Sequence, residues 1–152
     1  HNDITMKKAI LYTDGACSNN PGMGGWACIL KFNRKVTENS GFEADTTNNK
    51  MELMAVIKGL EMLPEKCNVE IFSDSAYVVN AFLQDWITTW EKRNWRNSEG
   101  KVVKNLELWQ RLIELNAYHK IKWNKVKGHS DDELNNRCDQ LAKDEIIKHL
   151  SD

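Results

Sequence analysis

The sequence predicts an α/β fold: a five-stranded mixed sheet, an antiparallel meander plus two parallel strands, flanked by helices and carrying a basic handle. Three observations predict it. At 152 residues the chain has the size of one domain and can bury about 70% of its unfolded surface. Its apolar pattern switches between alternation and helical spacing in the order βββαβααβα. A long helix-spaced segment separates the third and fourth strand-like runs, the kind of crossover that joins parallel strands.

Residues 8–14 alternate and read as the first strand. It ends at Asp14-Gly15, where "YTDGACSNNPGMGGW" turns small, polar and glycine-rich. Residues 26–32 read as the second strand and the more polar residues 35–43 as the third. Residues 51–63 place Leu53, Val56, Ile57, Leu60 and Leu63 at helical spacing, and Pro64 closes that helix. Residues 69–73 form a short β-rich fourth strand. Residues 75–89 read as one helix with Tyr77, Val78, Ala81 and Phe82 as its apolar stripe, and 106–118 as another. Residues 121–126 make the fifth strand. A polar loop, 127–134, leads to a last helix over 136–150. Residues 1–6 read as an appended or flexible start, with Met6 the natural beginning, and 7–150 as one domain. The one compositional shift is the Trp- and Lys/Arg-rich handle over 86–104.

The chain is 41% hydrophobic and 28% charged, with no apolar run near the roughly 20 residues of a membrane span. No basic-then-apolar leader opens it, so no secretion signal is expected. Cys17, Cys28, Cys67 and Cys138 lack CxxC or metal-binding spacing and read as reduced thiols of a cytoplasmic protein. The net charge of −1 taken alone argues against a nucleic-acid partner. It conceals a segregation. Residues 91–104 hold five basic side chains (Lys92, Arg93, Arg96, Lys101, Lys104) against Glu91 and Glu99, a net of +3, so the remainder carries −4.

Asp14 ends the first strand and Asp74 the fourth. If those strands are neighbours, the two carboxylates leave one sheet edge about 5 Å apart, where open α/β sheets bind ligands. Glu52 falls in the first turn of the crossover helix and Asp139 in the first turn of the last. Each has an ordinary reading. Asp14 suits an Asp-Gly turn. Glu52 follows Asn49, and Asp139 follows Asn136, at capping-box spacing. Asp74 suits an N-cap. Four acids converging from four elements would instead need a cation to offset their repulsion. Hard oxygen ligands suit Mg²⁺ or Mn²⁺, not zinc.

"TDGACSNNPGMGGW", "TTNNKMELMAVIKGLE", "FSDSAYV", "NLELWQRL" and "VKGHSDDELNNRCDQLA" resemble the type 1 ribonuclease H proteins of bacteria, over essentially the whole domain. The resemblance implies the ribonuclease H-like fold and hydrolysis of the RNA strand of an RNA–DNA hybrid by two divalent ions, with 5′-phosphate and 3′-hydroxyl products. It implies Asp14, Glu52, Asp74 and Asp139 as metal ligands and His129 as an auxiliary catalytic residue. It places Asn20, Asn48 and Asn49 in contact with the minor groove and Thr47 and Asn105 near a DNA-strand phosphate. Cys17, Gly15 and the glycines after Pro21 would supply the close backbone approach that reading 2′-hydroxyls requires.

One departure stands out: Ala76 follows "DS" where the family commonly has glutamine, which removes one groove hydrogen bond. Lys92, Arg93, Arg96, Lys101 and Lys104 would neutralise phosphates while Trp86 packs on the DNA backbone, giving affinity without sequence information. Trp90 and Trp109 read as core. On family grounds the protein is expected to be a monomer. Two other classes are weighed against this one: a nuclease or strand-transfer enzyme of the same fold, such as an integrase or junction resolvase, and a non-catalytic hybrid-binding module. The first would lack the MELMA helix, GH loop and handle together; the second would lack an acid.

Overall fold

The computed structural model describes residues 6–127 and 132–150. Strands β1 (Lys7–Cys17), β2 (Gly22–Phe32) and β3 (Lys35–Thr46) form the antiparallel meander. Helix α1 (Asn48–Leu60) crosses to β4 (Cys67–Ser73). Helices α2 (Ala76–Leu83), α3 (Trp86–Lys92) and α4 (Leu106–Tyr118) lead to β5 (Lys120–Lys125) and then α5 (Glu133–Lys148). The strand order is β3-β2-β1-β4-β5, with β1/β4 and β4/β5 parallel. The expected architecture is therefore present.

The main core lies between the sheet and α1 and α4. Leu11, Met51, Leu53, Val56, Leu60, Ile71, Trp109 and Leu112 are fully enclosed there. A smaller cluster of Tyr12, Ile29 and Cys138 fills the other face beneath α5. Helix α5 lies so close on β2 that a Cβ added to Gly25 would collide with the Ala142 carbonyl.

Five expectations need correction. The first strand does not stop at Asp14-Gly15. The ladder continues through Gly15↔Trp26, Ala16↔Gly25 and Cys17↔Gly24, because glycines leave the room that the helices above occupy. The turn lies beyond it, closed by Ser18 N–H to Met23 O at 2.8 Å. Helix α1 starts earlier and ends earlier than its apolar spacing suggests. Its N-cap is Thr47, whose Oγ1 accepts from Lys50 N–H at 3.2 Å, so Glu52 lies in the second turn and is not a capping-box partner.

The expected single helix over 75–89 is two. Asp85 adopts φ 54°, ψ 48° and caps α3 through Thr88, with Oδ1 accepting from Thr88 Oγ1 at 2.8 Å. Ser75, not Asp74, caps α2. Helix α5 starts at Glu133 with Asp132 as its cap, Oδ1 accepting from Leu134 N–H at 2.9 Å, so Asp139 also sits beyond the first turn.

Candidate active site

The parallel register of β1 and β4 runs from Lys7↔Cys67 to Tyr12↔Phe72. Two residues beyond that register come Asp14, still on β1, and Asp74, just past the end of β4. Glu52 reaches the same place from α1. A Cβ on Gly15 would stand 2.6 Å from the Glu52 backbone nitrogen, so glycine here permits helix and strand to touch. The result is a trio: one carboxylate oxygen each of Asp14, Glu52 and Asp74, all within 4.8 Å of one another. Asp14 and Glu52 are buried, 8% and 6% exposed; Asp74 faces solvent.

Asp139 approaches from α5, near enough for its carboxyl to help raise that of Asp14, and its Oδ2 lies 2.9 Å from Lys143 Nζ. The sequence reading overlooked Lys143. Its i,i+4 spacing from Asp139 was the available signal.

Burial is the largest electrostatic fact of the cluster. It pushes the Asp14 carboxyl up to about 8, assisted by the charges of Asp74 and Asp139, against the Gly15 amide. Gly15 N–H donates to Asp14 Oδ1 at 2.9 Å. Burial likewise raises Glu52 well above the ordinary carboxylate range, with Asp14 and Asp74 adding to the effect. Glu52 Oε1 is buried with no hydrogen-bond partner among the described residues. An orphaned buried carboxylate oxygen is costly. Three hard oxygen donors, two of them buried where ionisation is unfavourable until a cation arrives, fit a divalent metal ion.

Beside the trio lies a groove of about 490 Å³ lined by Asn20, Pro21, Thr47, Asn48, Asn49, Tyr77, Lys104 and Asn105. The expected groove and phosphate contacts are thus neighbours. Asn20 Oδ1 accepts from Asn48 N–H at 2.8 Å, tying the β1–β2 turn to the start of α1. The Cys17 thiol donates to Asn19 O at 2.5 Å and lies 3.5 Å from Thr46 O. Asn105 Nδ2 donates to the Tyr77 hydroxyl at 3.2 Å. Sequence reading took Tyr77 only as part of an apolar stripe, because a hydrophobic pattern does not register its hydroxyl. Ala76, at the start of α2, is exposed.

The handle is built differently. Trp90 packs against Trp86, Trp95 and Trp109 at ring-centroid distances of 6.2, 6.1 and 5.1 Å. Trp109 is fully buried, and Trp90 is partly buried against the core. Trp86 is half-buried, its Nε1 donating to Gln84 Oε1 at 3.0 Å. Lys92, Arg93, Arg96, Lys101 and Lys104 are all exposed. Arg96 Nη1 donates to Gly100 O at 3.1 Å, and Lys101 Nζ sits 4.0 Å from Glu99. His129 lies outside the described residues, as do residues 1–5.

Against known proteins, the RNase H family model matches residues 6–147. Ribonuclease H of Acetivibrio thermocellus is 60% identical over 144 residues, 95% of this chain and 98% of that protein. Among solved structures, LC9-RNase H1, a type 1 RNase H with the type 2 active-site motif, superposes with TM-score 0.80 at 27% identity, covering 94% of this chain and 74% of that one. LC11-RNase H1, solved in complex with an RNA/DNA hybrid, shares the fold at TM-score 0.68 and 21% identity, covering 93% of this chain and 99% of that one. With this fold and this acid trio, the chain belongs to the RNase H family, nucleases whose activity is hydrolysis of RNA in RNA–DNA hybrids.

Proposed function

We propose that Asp14, Glu52, Asp74 and Asp139 hold two Mg²⁺ ions, with Mn²⁺ as the alternative, when the hybrid is bound, and that the RNA strand is cut to 5′-phosphate and 3′-hydroxyl ends. The observation that carries the reading is the acid trio, two of its members buried, with its orphaned Glu52 oxygen. When bound, such ions activate a water and stabilise the departing 3′ oxygen. The protein's part is to keep the carboxylates fixed. Asp14 and Asp74 extend from paired strands and Glu52 from a helix pressed onto them, so little motion separates them. Asp74 is the exposed member of the trio. His129 serves proton transfer or product release, roles an imidazole can fill near neutral pH.

The groove supports the contacts assigned by resemblance. Cys17, Asn20, Asn48 and Asn49 would read 2′-hydroxyls across the shallow minor groove. Thr47 and Asn105 would hold a phosphate of the DNA strand. Lys92, Arg93, Arg96, Lys101 and Lys104, with Trp86, would follow the backbone beyond, without sequence preference. The hybrid-bound state of LC11-RNase H1 supports the partner assignment. No helix among the described residues is long and apolar enough to cross a membrane. We read residues 7–150 as a single domain working as a cytoplasmic monomer, for which four free thiols are a supporting sign.

The test is cleavage of an RNA–DNA hybrid, duplex RNA, duplex DNA and a four-way junction, with and without Mg²⁺. Cutting of the hybrid's RNA strand alone, and only with the metal, is expected. Junction cleavage, or metal-independent cutting, would refute the assignment.

A further inference from the structure

We propose that Tyr77 is a positioning residue for the hybrid groove: its hydroxyl sets the Asn105 amide toward the DNA-strand phosphate. The inference rests on the reading of Thr47 and Asn105 as a phosphate pocket, and goes beyond it.

Asn105 precedes α4 at φ 60°, ψ 31°, and its side chain makes no cap hydrogen bond. An asparagine at a helix start ordinarily spends its side chain on the first amides. This one turns away and donates Nδ2 to the Tyr77 hydroxyl at 3.2 Å. The same oxygen accepts from Trp109 Nε1 at 3.0 Å. A phenol oxygen that accepts two bonds keeps only its own proton to give, and Tyr77 lines the groove beside Thr47, Asn48 and Asn49. The hydroxyl is therefore a node between the fully buried Trp109 and the wall of the groove.

The node is held from below. Tyr77 meets Trp109 edge-on at 5.3 Å, and Trp109 meets Trp90 of the handle's base at 5.1 Å. An exposed asparagine must surrender rotamer freedom when it binds a phosphate. Asn105 has surrendered it already, to a residue that cannot move without disturbing the core. Pre-ordering of this kind strengthens binding without adding a new interaction.

Tyr77→Phe keeps the ring and deletes the node. Its KM for the hybrid should rise about two- to tenfold, the effect of one hydrogen bond, and kcat should fall less. The decisive readout is a scan in which one neutral methylphosphonate is moved along the DNA strand. In the wild type one position should stand out as harmful; in Tyr77→Phe that peak should flatten, because Asn105 no longer waits there. Tyr77→Phe also orphans the buried Trp109 donor, so Tyr77→Phe/Trp109→Phe, which removes both partners, is measured beside it. The same flattening is expected. An unchanged KM with the wild-type peak intact overturns the proposal, leaving Tyr77 as packing. A lowered melting temperature without any change in the peak does the same. A wild-type scan with no peak defeats the phosphate pocket itself, and the proposal with it.

Discussion

Asp14 and Glu52 sit 8% and 6% exposed on a central strand and the helix against it, while the basic residues of the handle stand in solvent on a segment bent through positive φ at Asn94 and Trp95. Both regions are dense in charge, and their charges do different work. In the cluster, burial makes ionised Asp14 and Glu52 unfavourable, so the site has a demand that a cation meets. In the handle, water already solvates each ammonium and guanidinium. Such a charge contributes chiefly by releasing counterions from a phosphate. Chemistry here requires fixed, desolvated groups carried by the sheet. Affinity requires only that enough positive charge lie within reach. The groove between them combines both, with polar side chains ordered by the core.

The comparison is broken hardest at the acids. Asp14→Asn or Asp74→Asn should lower kcat by on the order of 10³-fold or more, while far-UV circular dichroism remains that of the wild type. Turnover near wild type in Asp74→Asn would remove it from the cluster.

A second break needs no substrate. Asp14 titrates at about 8 in the fold against about 3.9 when unfolded. Its folded pKa is raised, so its contribution to stability is complete below pH ~4 and is lost as pH rises through about 8, by at most about 1.4 kcal/mol per pH unit. Glu52 acts in the same direction. Metal-free protein should therefore lose stability in urea titrations between pH 5 and 8. Asp14→Asn should show a shallower loss, and added Mg²⁺ should reverse it.

The groove should give a smaller, position-dependent effect. Single 2′-deoxy substitutions at contacted sugars should each cost roughly 1–3 kcal/mol in kcat/KM, least at the sugar facing Ala76. A flat profile would mean that Cys17, Asn20, Asn48 and Asn49 do not read the ribose. The handle should give the smallest effect per residue. Neutralising Lys92, Arg93 and Arg96 together should reduce the log–log salt slope of hybrid binding by up to about 0.9 for each phosphate that is no longer neutralised. Arg96, already bonded to Gly100 O, should contribute least. An unaltered slope would make the handle an ordinary solvated loop.

What could be read in advance follows the same division. Helix α4 was legible to the residue, because an amphipathic stripe over a full helix is strong and its ends are clear. The pairing of β1 with β4 followed from one crossover, whereas the place of β5 beside β4 came from the structure. The local chemistry of polar residues misled. Asp14-Gly15 has the look of a turn, yet Gly15 serves the contact with Glu52. Asn49 and Glu52 have capping-box spacing, yet Thr47 caps the helix and Glu52 is buried in the site. Asp85 interrupts a continuous apolar pattern by adopting a left-handed conformation, which periodicity does not encode. In each case a short polar side chain had two local uses, and packing from a distant element chose between them. Tyr77 adds a different lesson: its ring follows the helical pattern, and its hydroxyl answers to residues about 30 positions away.

The acid trio is built to receive a divalent cation. Calorimetric titration of the metal-free protein with Mn²⁺ or Mg²⁺, in the absence of nucleic acid, tests it most directly. Saturable binding is expected, severely weakened by Asp14→Asn and by Asp74→Asn, while the handle triple mutant binds as the wild type does. Binding that survives both acid substitutions unchanged, or no binding by the wild type at millimolar metal, would contradict it.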